Sequence, residues 1–349
     1  MPVVAFQGER GAFGEEAAGK LIGDSIERVI PCRADGTGSP SHARCAPLGT
    51  KLRVVFATRN DRISSMTRVV AFQGERGAFS EEAARKLIGD SIDVRPCATF
   101  DDVFAAVARG DATCAVVPIE NSLAGSVLRN YELLANADLT ISGEVFLPIS
   151  LHLIAKRGAH IEDIRRVFSH PVALAQCHRF IAEHHLEAKP AYDTAGSVKQ
   201  LMESGGNDEA AIAGAAAAEI YGAEILARGV EDHRENFTRF LLLAPANSVA
   251  TSQTSVVMKT TILFRTPNTP GALFRALAAF ALRDINLTKL ESRPIEGRPW
   301  EYSFYVDLGG HASDAKVARA IEHLREMCET VRILGSYPAA NDCADRDAH

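Results

Sequence analysis

Four stretches of this sequence gather side chains able to do chemistry: Gln73 to Ser80, Pro118 to Gly125, Ser169 to Gln176, and Asn236 to Phe240. The last three hold amides, hydroxyls, the guanidinium of Arg239 and a single carboxylate, Glu120. That carboxyl could act as a general acid if burial raised its pKa, or it could be a structural partner of Arg239. The first stretch is a glycine-bearing turn, Gln73-Gly-Glu-Arg-Gly77, between an apolar run at Val69 to Phe72 and a helix expected from about Phe79 to Ile88. Free backbone N–H groups and the helix dipole at such a junction favour an anion, and a purely structural turn uses the same residues. Other constellations fail their chemistry. His178, His184 and His185 share a helix without metal-ligand spacing, and Cys177 stands beside Gln176 with no evident base. The seven cysteines are scattered, odd in number and without a C-x-x-C, which argues against a disulfide framework and a zinc site.

The elements that must position these groups alternate. Phe100 to Ala108 is expected to be helical, Ala115 to Val117 a buried strand, and Val127 to Ala135 helical. Leu139 to Ile154 reads as extended with a break near Pro148, and Pro171 to His185 as one helix with proline in its first turn. A helix over Thr194 to Met202 and strands at Ala210 to Ala213 and Phe240 to Leu243 complete the region. Alternation of this kind predicts an α/β fold with mostly parallel strands and ligands at the strand ends.

The polar segments resemble a known family. Pro118-Ile-Glu-Asn-Ser-Leu-Ala-Gly125, Ser169-His-Pro-Val-Ala-Leu-Ala-Gln176 and Thr238-Arg-Phe240 look like the signature segments of prephenate dehydratases, in the family's order, with Asp193-Thr-Ala195 between them. The resemblance covers nearly all of 69–338 and implies a two-lobed, periplasmic-binding-protein-like catalytic domain with the site in its cleft. The catalytic domain would span 67–247, with lobes of about 69–146 plus 222–247, and 147–221. The implied reaction turns prephenate into phenylpyruvate, carbon dioxide and water, with no cofactor or metal. Thr238 would sit beside the departing hydroxyl. Its own pKa is far too high for an efficient general acid, so a directed hydrogen bond that strengthens as the oxygen gains charge is expected. Arg239 would offer a planar fork to a carboxylate. Asn121, Ser122, Ser169, Gln176, Thr194, Ala195 and Phe240 would contact substrate. Ser169 could instead simply cap the following helix; Gln176, seven residues on, is two turns away on the same helix face, so both can point into one cleft. Asp193 and Thr194 have the same capping alternative.

Downstream, 248–258 reads as a linker. Lys259 to Arg265, a helix opened by Pro270-Gly-Ala-Leu273, Ile285 to Glu291, the alternating run Trp300 to Leu308, a helix through Val317 and Leu324, and Val331 to Tyr337 spell βαββαβ over 259–338. The alternation at 300–308 predicts a strand packed on one face only. Gly271-Ala-Leu273 and Glu291-Ser-Arg-Pro294 resemble the segments with which ACT domains of this family bind phenylalanine, which implies feedback inhibition and a homodimer or homotetramer. Gly271 permits close backbone approach, and the helix end suits a carboxylate.

At the front, residues 3–26 nearly repeat 69–92, differing only at Gly14 versus Ser80 and Gly19 versus Arg85. We read 1–66 as a partial duplication of 69–97 plus linker, and 339–349 as a tail. A chain beginning at Met66 is expected to keep full activity; a large loss on that truncation would refute the reading.

The 349 residues are 46% hydrophobic and 23% charged, enough for two ordinary domains. A net charge of −6 gives no reason to expect a nucleic-acid or membrane partner. The opening residues show no signal peptide, and no apolar stretch is long enough to span a bilayer, so a cytoplasmic location is expected. The rival readings are an arogenate dehydratase, a non-catalytic amino-acid sensor, and a periplasmic solute-binding protein.

Overall fold

Short apolar runs that each end in a polar turn build the first lobe. The computed structural model describes residues 68–246 and 257–340, so the first repeat copy, most of the linker and the tail lie outside the described residues. In chain order come β1 (Arg68–Gln73), α1 (Phe79–Ile88), β2 (Ile92–Cys97), α2 (Phe100–Ala108), β3 (Cys114–Asn121), β4 (Gly125–Ser126), α3 (Leu128–Asn136) and β5 (Leu139–Pro148). A capping box fixes the start of α2: Thr99 accepts from Asp102 N–H and Asp102 accepts from Thr99 N–H. The chain then enters a second lobe through β6 (His152–Ala155), β7 (Arg166–Ser169), α4 (Pro171–Gln176), α5 (His178–Glu183), β8 (Glu187–Pro190), α6 (Thr194–Ser204), β9 (Glu209–Ala213), α7 (Ala215–Tyr221) and β10 (Glu224–Ala227). It returns to the first lobe with β11 (Phe237–Pro245).

The sheets run β2-β1-β3-β11-β5, with β4 on β3, and β10-β6-β9-β7-β8. They are mixed rather than mostly parallel. β1 and β7 pair in parallel on both sides, whereas β11 is antiparallel to β3 and β5, and β6 to β9 and β10. The returning strand must enter its sheet from the far lobe, and this reverses its direction. Because β10 pairs with β6, the second lobe extends through Ala227, and the return begins later than the expected 222.

The helix expected over 171–185 is two helices broken at Cys177. Asp232 makes the break: its N–H takes the Gln176 carbonyl at 2.7 Å, and its carboxylate accepts from Arg179 N–H at 3.1 Å, capping α5. The return crossing thus interrupts a helix some fifty positions upstream.

The C-terminal domain is β12 (Met258–Arg265), α8 (Ala272–Ala281), β13 (Leu287–Ile295), β14 (Arg298–Gly309), α9 (Ala315–Met327) and β15 (Thr330–Pro338), with antiparallel order β13-β14-β12-β15. Ile262, Phe264, Phe304, Val306 and Leu308 face the two helices. The opposite face is also covered. Leu263, Tyr305, Leu334 and Tyr337 pack with Tyr131, Leu134, Ile141 and Leu241 of the first lobe. From Ser303 to Leu308 the residues of β14 are therefore buried on both sides, contrary to the one-faced expectation, while Trp300 and Tyr302 stay exposed. Backbones approach closely where β15 meets β5: a methyl on Gly335 would land on the Ile141 carbonyl, and Thr140 donates to the Leu334 carbonyl at 3.0 Å. No helix among the described residues is long and apolar enough to cross a membrane.

Candidate active site in the interlobe cleft

Register decides which polar residues meet. On paired β3 and β11, Thr238 lies opposite Asn121 and Arg239 opposite Glu120. Side chains alternate along a strand, so Asn121 and Thr238 share one face while Glu120 and Arg239 share the other. Asn121 Nδ2 donates to Thr238 Oγ1 at 2.9 Å and to Asn236 Oδ1 at 2.8 Å. Its Oδ1 accepts from the N–H groups of Leu123 and Ala124, at 3.0 and 2.8 Å. Gln176, from the second lobe, accepts from Asn236 Nδ2 at 3.1 Å and donates to Asn121 Oδ1 at 3.4 Å. Asn121, Asn236, Thr238 and Gln176 thus form one amide–hydroxyl network across the lobes. Thr238 is 8% exposed and its oxygen is an acceptor here, so its own O–H proton is left to donate. Asn236 is fully buried at the centre of this network. The polar segment contained it, but its role was missed because only the fold sets it between Asn121 and Gln176.

Several expected contacts are corrected. Arg239 faces away from the cleft, and its guanidinium is fully engaged. It donates to Glu144 at 2.7 Å, to Asp307 of the C-terminal domain at 2.5 Å and to the Tyr337 hydroxyl at 3.0 Å. Burial works to lower its pKa, but the Asp307 carboxylate, with Tyr337 and Glu144, outweighs that and raises it. Glu120 pairs not with Arg239 but with Lys289, at 2.8 Å. A half-exposed, ion-paired carboxylate on the far face of β3 does not suit a general acid for the cleft. Phe240 is 2% exposed in the core, and the Ala195 methyl is buried against Phe72, Ala78 and Val198. Ser122 is spent on a loop clip, donating to Glu235 carbonyl and accepting from Phe237 N–H. Ser169 sits on β7 rather than on the helix and donates to the Ile212 carbonyl at 2.6 Å. His170 makes the cap instead, its Nδ1 accepting from Val172 N–H at 3.2 Å.

Around the cleft, Thr194 opens α6 half-buried, and Asp193 caps that helix through the N–H of Gly196. Burial raises the Asp193 carboxyl and lowers the His170 imidazole. The turn after β1 is not a free anion site. Glu81 Oε2 fills it, accepting from Gly77 N–H at 3.0 Å. Burial raises the Glu81 carboxyl, but hydrogen bonds from Arg85, Gly77 and Arg76 prevail and hold it below the ordinary value. The same turn joins the lobes: Gln73 donates to Tyr192 at 3.0 Å, Lys199 pairs with Glu75 at 3.1 Å, and a methyl on Gly77 would lie 2.7 Å from Ala217 Cα. Burial pushes the Cys177 thiol up to about 12, which keeps it protonated and a poor nucleophile. A depression of about 630 Å³ bordered by Arg157, Glu219 and Arg228 includes none of the network residues.

In the C-terminal domain, Gly271 takes a left-handed φ of 73° immediately before α8. Ala272 and Leu273 border a cavity of about 160 Å³ together with Trp300, Tyr302 and Phe304. The segment 291–294 splits by face. Ser292 pairs with Phe304, so it and Pro294 lie on the helix side of the sheet, both exposed. Glu291 and Arg293 face the first lobe, where they meet Ser126 at 2.7 Å and Glu132 at 3.0 Å.

Comparison with known proteins agrees with this arrangement. The family model of prephenate dehydratase matches residues 70–248, and that of the ACT domain matches 260–326. The arogenate dehydratase/prephenate dehydratase 2, chloroplastic, of Arabidopsis thaliana is 45% identical over 288 residues, covering 80% of this chain and 75% of its own. The structure of prephenate dehydratase from Arthrobacter aurescens in complex with L-Phe aligns with a TM-score of 0.71 at 34% identity, covering 78% of this chain and 90% of that one. A structure described as GqqA, a novel type of quorum quenching acylase, aligns with a TM-score of 0.72 at 40% identity, covering 78% and 98%. With its two-lobed catalytic region followed by a βαββαβ domain, this chain belongs to the prephenate dehydratase family and carries a C-terminal ACT domain.

Proposed function

We propose that this enzyme converts prephenate to phenylpyruvate, carbon dioxide and water, and that phenylalanine inhibits it through the ACT domain. The Asn121–Thr238 hydrogen bond carries the reading. Asn121 holds the Thr238 oxygen as acceptor, which leaves the Thr238 proton to donate to the departing ring hydroxyl. As the C–O bond breaks, the leaving oxygen gains charge and this hydrogen bond strengthens, while the ring carboxylate leaves as carbon dioxide and its electron pair completes the aromatic ring. One proton taken up from solvent acid, passed on through the Thr238 hydroxyl, turns the departing hydroxide into the product water. With Arg239 committed elsewhere and both Asn121 amide hydrogens taken by Asn236 and Thr238, substrate orientation falls to the neutral donors of Gln176 and Thr194. Arogenate is the second reading, favoured by the name of the Arabidopsis relative. Turnover of each purified substrate decides the order: a higher kcat/KM on arogenate reverses it, and no turnover of either removes the reading.

Phenylalanine would bind beside Gly271, where the N-terminus of α8 can receive a carboxylate. Gly271→Val places a β-branched residue at a positive φ and is expected to weaken phenylalanine binding at least about tenfold. Equal affinity in a calorimetric titration would remove the assigned site. A homodimer or homotetramer is part of the reading: Phe274, Leu282 and Trp300, each more than 70% exposed, offer the ACT domain an apolar surface for a second copy. The free thiols at Cys97, Cys114, Cys177 and Cys328 fit a reducing cytoplasm.

A further inference from the structure

Two cleft residues have neighbours in the chain that the ACT domain holds. Behind Thr238 stands Arg239, bound to Asp307 and Tyr337; before Asn121 stands Glu120, bound to Lys289. The second contact is the more telling, because it lies on the strand that also carries the 291–294 segment. Lys289 Nζ is 2.8 Å from Glu120 Oε2, donates to Ser126 Oγ at 3.4 Å and lies 5.6 Å from the centre of the Tyr131 ring. Its side chain is only 11% exposed. Glu291, two residues on and on the same face, accepts from Ser126 Oγ at 2.7 Å.

Ser126 and Glu120 are themselves cross-strand partners, and Gly125 pairs with Asn121. Lys289 and Glu291 therefore grip both strands of the small β3–β4 hairpin. The loop of that hairpin supplies the two N–H groups that fix the Asn121 amide. On the other face of β13, Ser292 and Pro294 lie on the side of the sheet that carries Gly271 and α8. A displacement of β13 that begins on the helix side must move Lys289 and Glu291 on the catalytic side, since one backbone carries both.

We infer that Lys289 is a positioning residue that couples the ACT domain to the cleft, holding the β3–β4 hairpin, and with it Asn121, in a position set by β13. The inference rests on the phenylalanine regulation proposed above. It does not make Lys289 a substrate or effector contact.

The test uses the full chain and its Lys289→Met and Lys289→Arg variants. Inhibition by phenylalanine is measured alongside phenylalanine binding by calorimetry, and thermal melting confirms folding. In Lys289→Met the phenylalanine concentration for half inhibition is expected to rise about tenfold or more, the scale of an ordinary coupling between sites. Phenylalanine affinity should stay within about twofold of the parent's, with Lys289→Arg recovering most of the inhibition. Unchanged inhibition in Lys289→Met overturns the inference and leaves the regulatory reading standing. Loss of binding in step with loss of inhibition also overturns it, by placing Lys289 in the effector site. A parent protein that binds no phenylalanine removes the regulatory reading and this inference together.

Discussion

Thr238→Val is expected to lower kcat by about 10²–10³-fold, with KM changed far less and the melting temperature near that of the parent. Valine keeps the branched shape on β11 but removes the O–H aimed at the departing oxygen. Asn121 loses one acceptor, yet Asn236 Oδ1 and the Phe237 carbonyl, at 2.8 and 3.2 Å, still receive its amide. The effect should therefore fall on the chemical step, because the lost interaction gains strength only as charge develops. Thr238→Ser should retain more activity than Thr238→Val, since it restores the hydroxyl without the methyl group. Steady-state kinetics with prephenate checks this; a Thr238→Val kcat within about threefold of the parent would remove Thr238 from the reacting centre.

Arg239→Met should act on a different quantity. The variant leaves Asp307 and Glu144 buried without their guanidinium. Thr261 still donates to Asp307 at 2.6 Å, and Lys259 still pairs with Glu144 at 2.6 Å. Removing one partner from a buried ion network costs about 3–5 kcal/mol, more than the pair adds over an apolar substitute, because the desolvated carboxylates stay behind. A fall in melting temperature of several degrees, with KM close to the parent's, is the expected result of differential scanning calorimetry combined with kinetics. A raised KM at unchanged stability would return Arg239 to the substrate.

The contrast between these neighbours shows what the sequence could and could not disclose. Period-two alternation was readable, and it requires that Thr238 and Arg239 face opposite ways. What it lacked was knowledge of the covering on the second face. The ACT domain packs there, and Asp307 and Tyr337 come from strands about seventy and a hundred residues downstream of Arg239. The same ignorance made β14 look one-faced, although Ser303, Tyr305 and Asp307 are buried on its other face. Local order was more legible. The βαββαβ succession could be read from hydrophobic periodicity and short connections, because each element's pattern is set by its own neighbours. The break between α4 and α5 was not legible, since Asp232 makes it from the distant return crossing. Asn236 lay in view within a polar segment, but a lone asparagine carries no signal of its partners until the lobes bring Asn121 and Gln176 to it.

The backbone contact between β15 and β5 bears on modularity. ACT domains look like interchangeable cassettes, inviting exchange of one for another. Here the seat leaves no room for a side chain at Gly335, because the Ile141 carbonyl occupies the place of its first carbon. A donor domain with any other residue there could fold perfectly well and still fail to seat. Compatibility in a chimera would thus be written in the underside of the sheet, at Gly335, Asp307 and Tyr337, rather than in the ligand-facing loops by which such domains are usually compared.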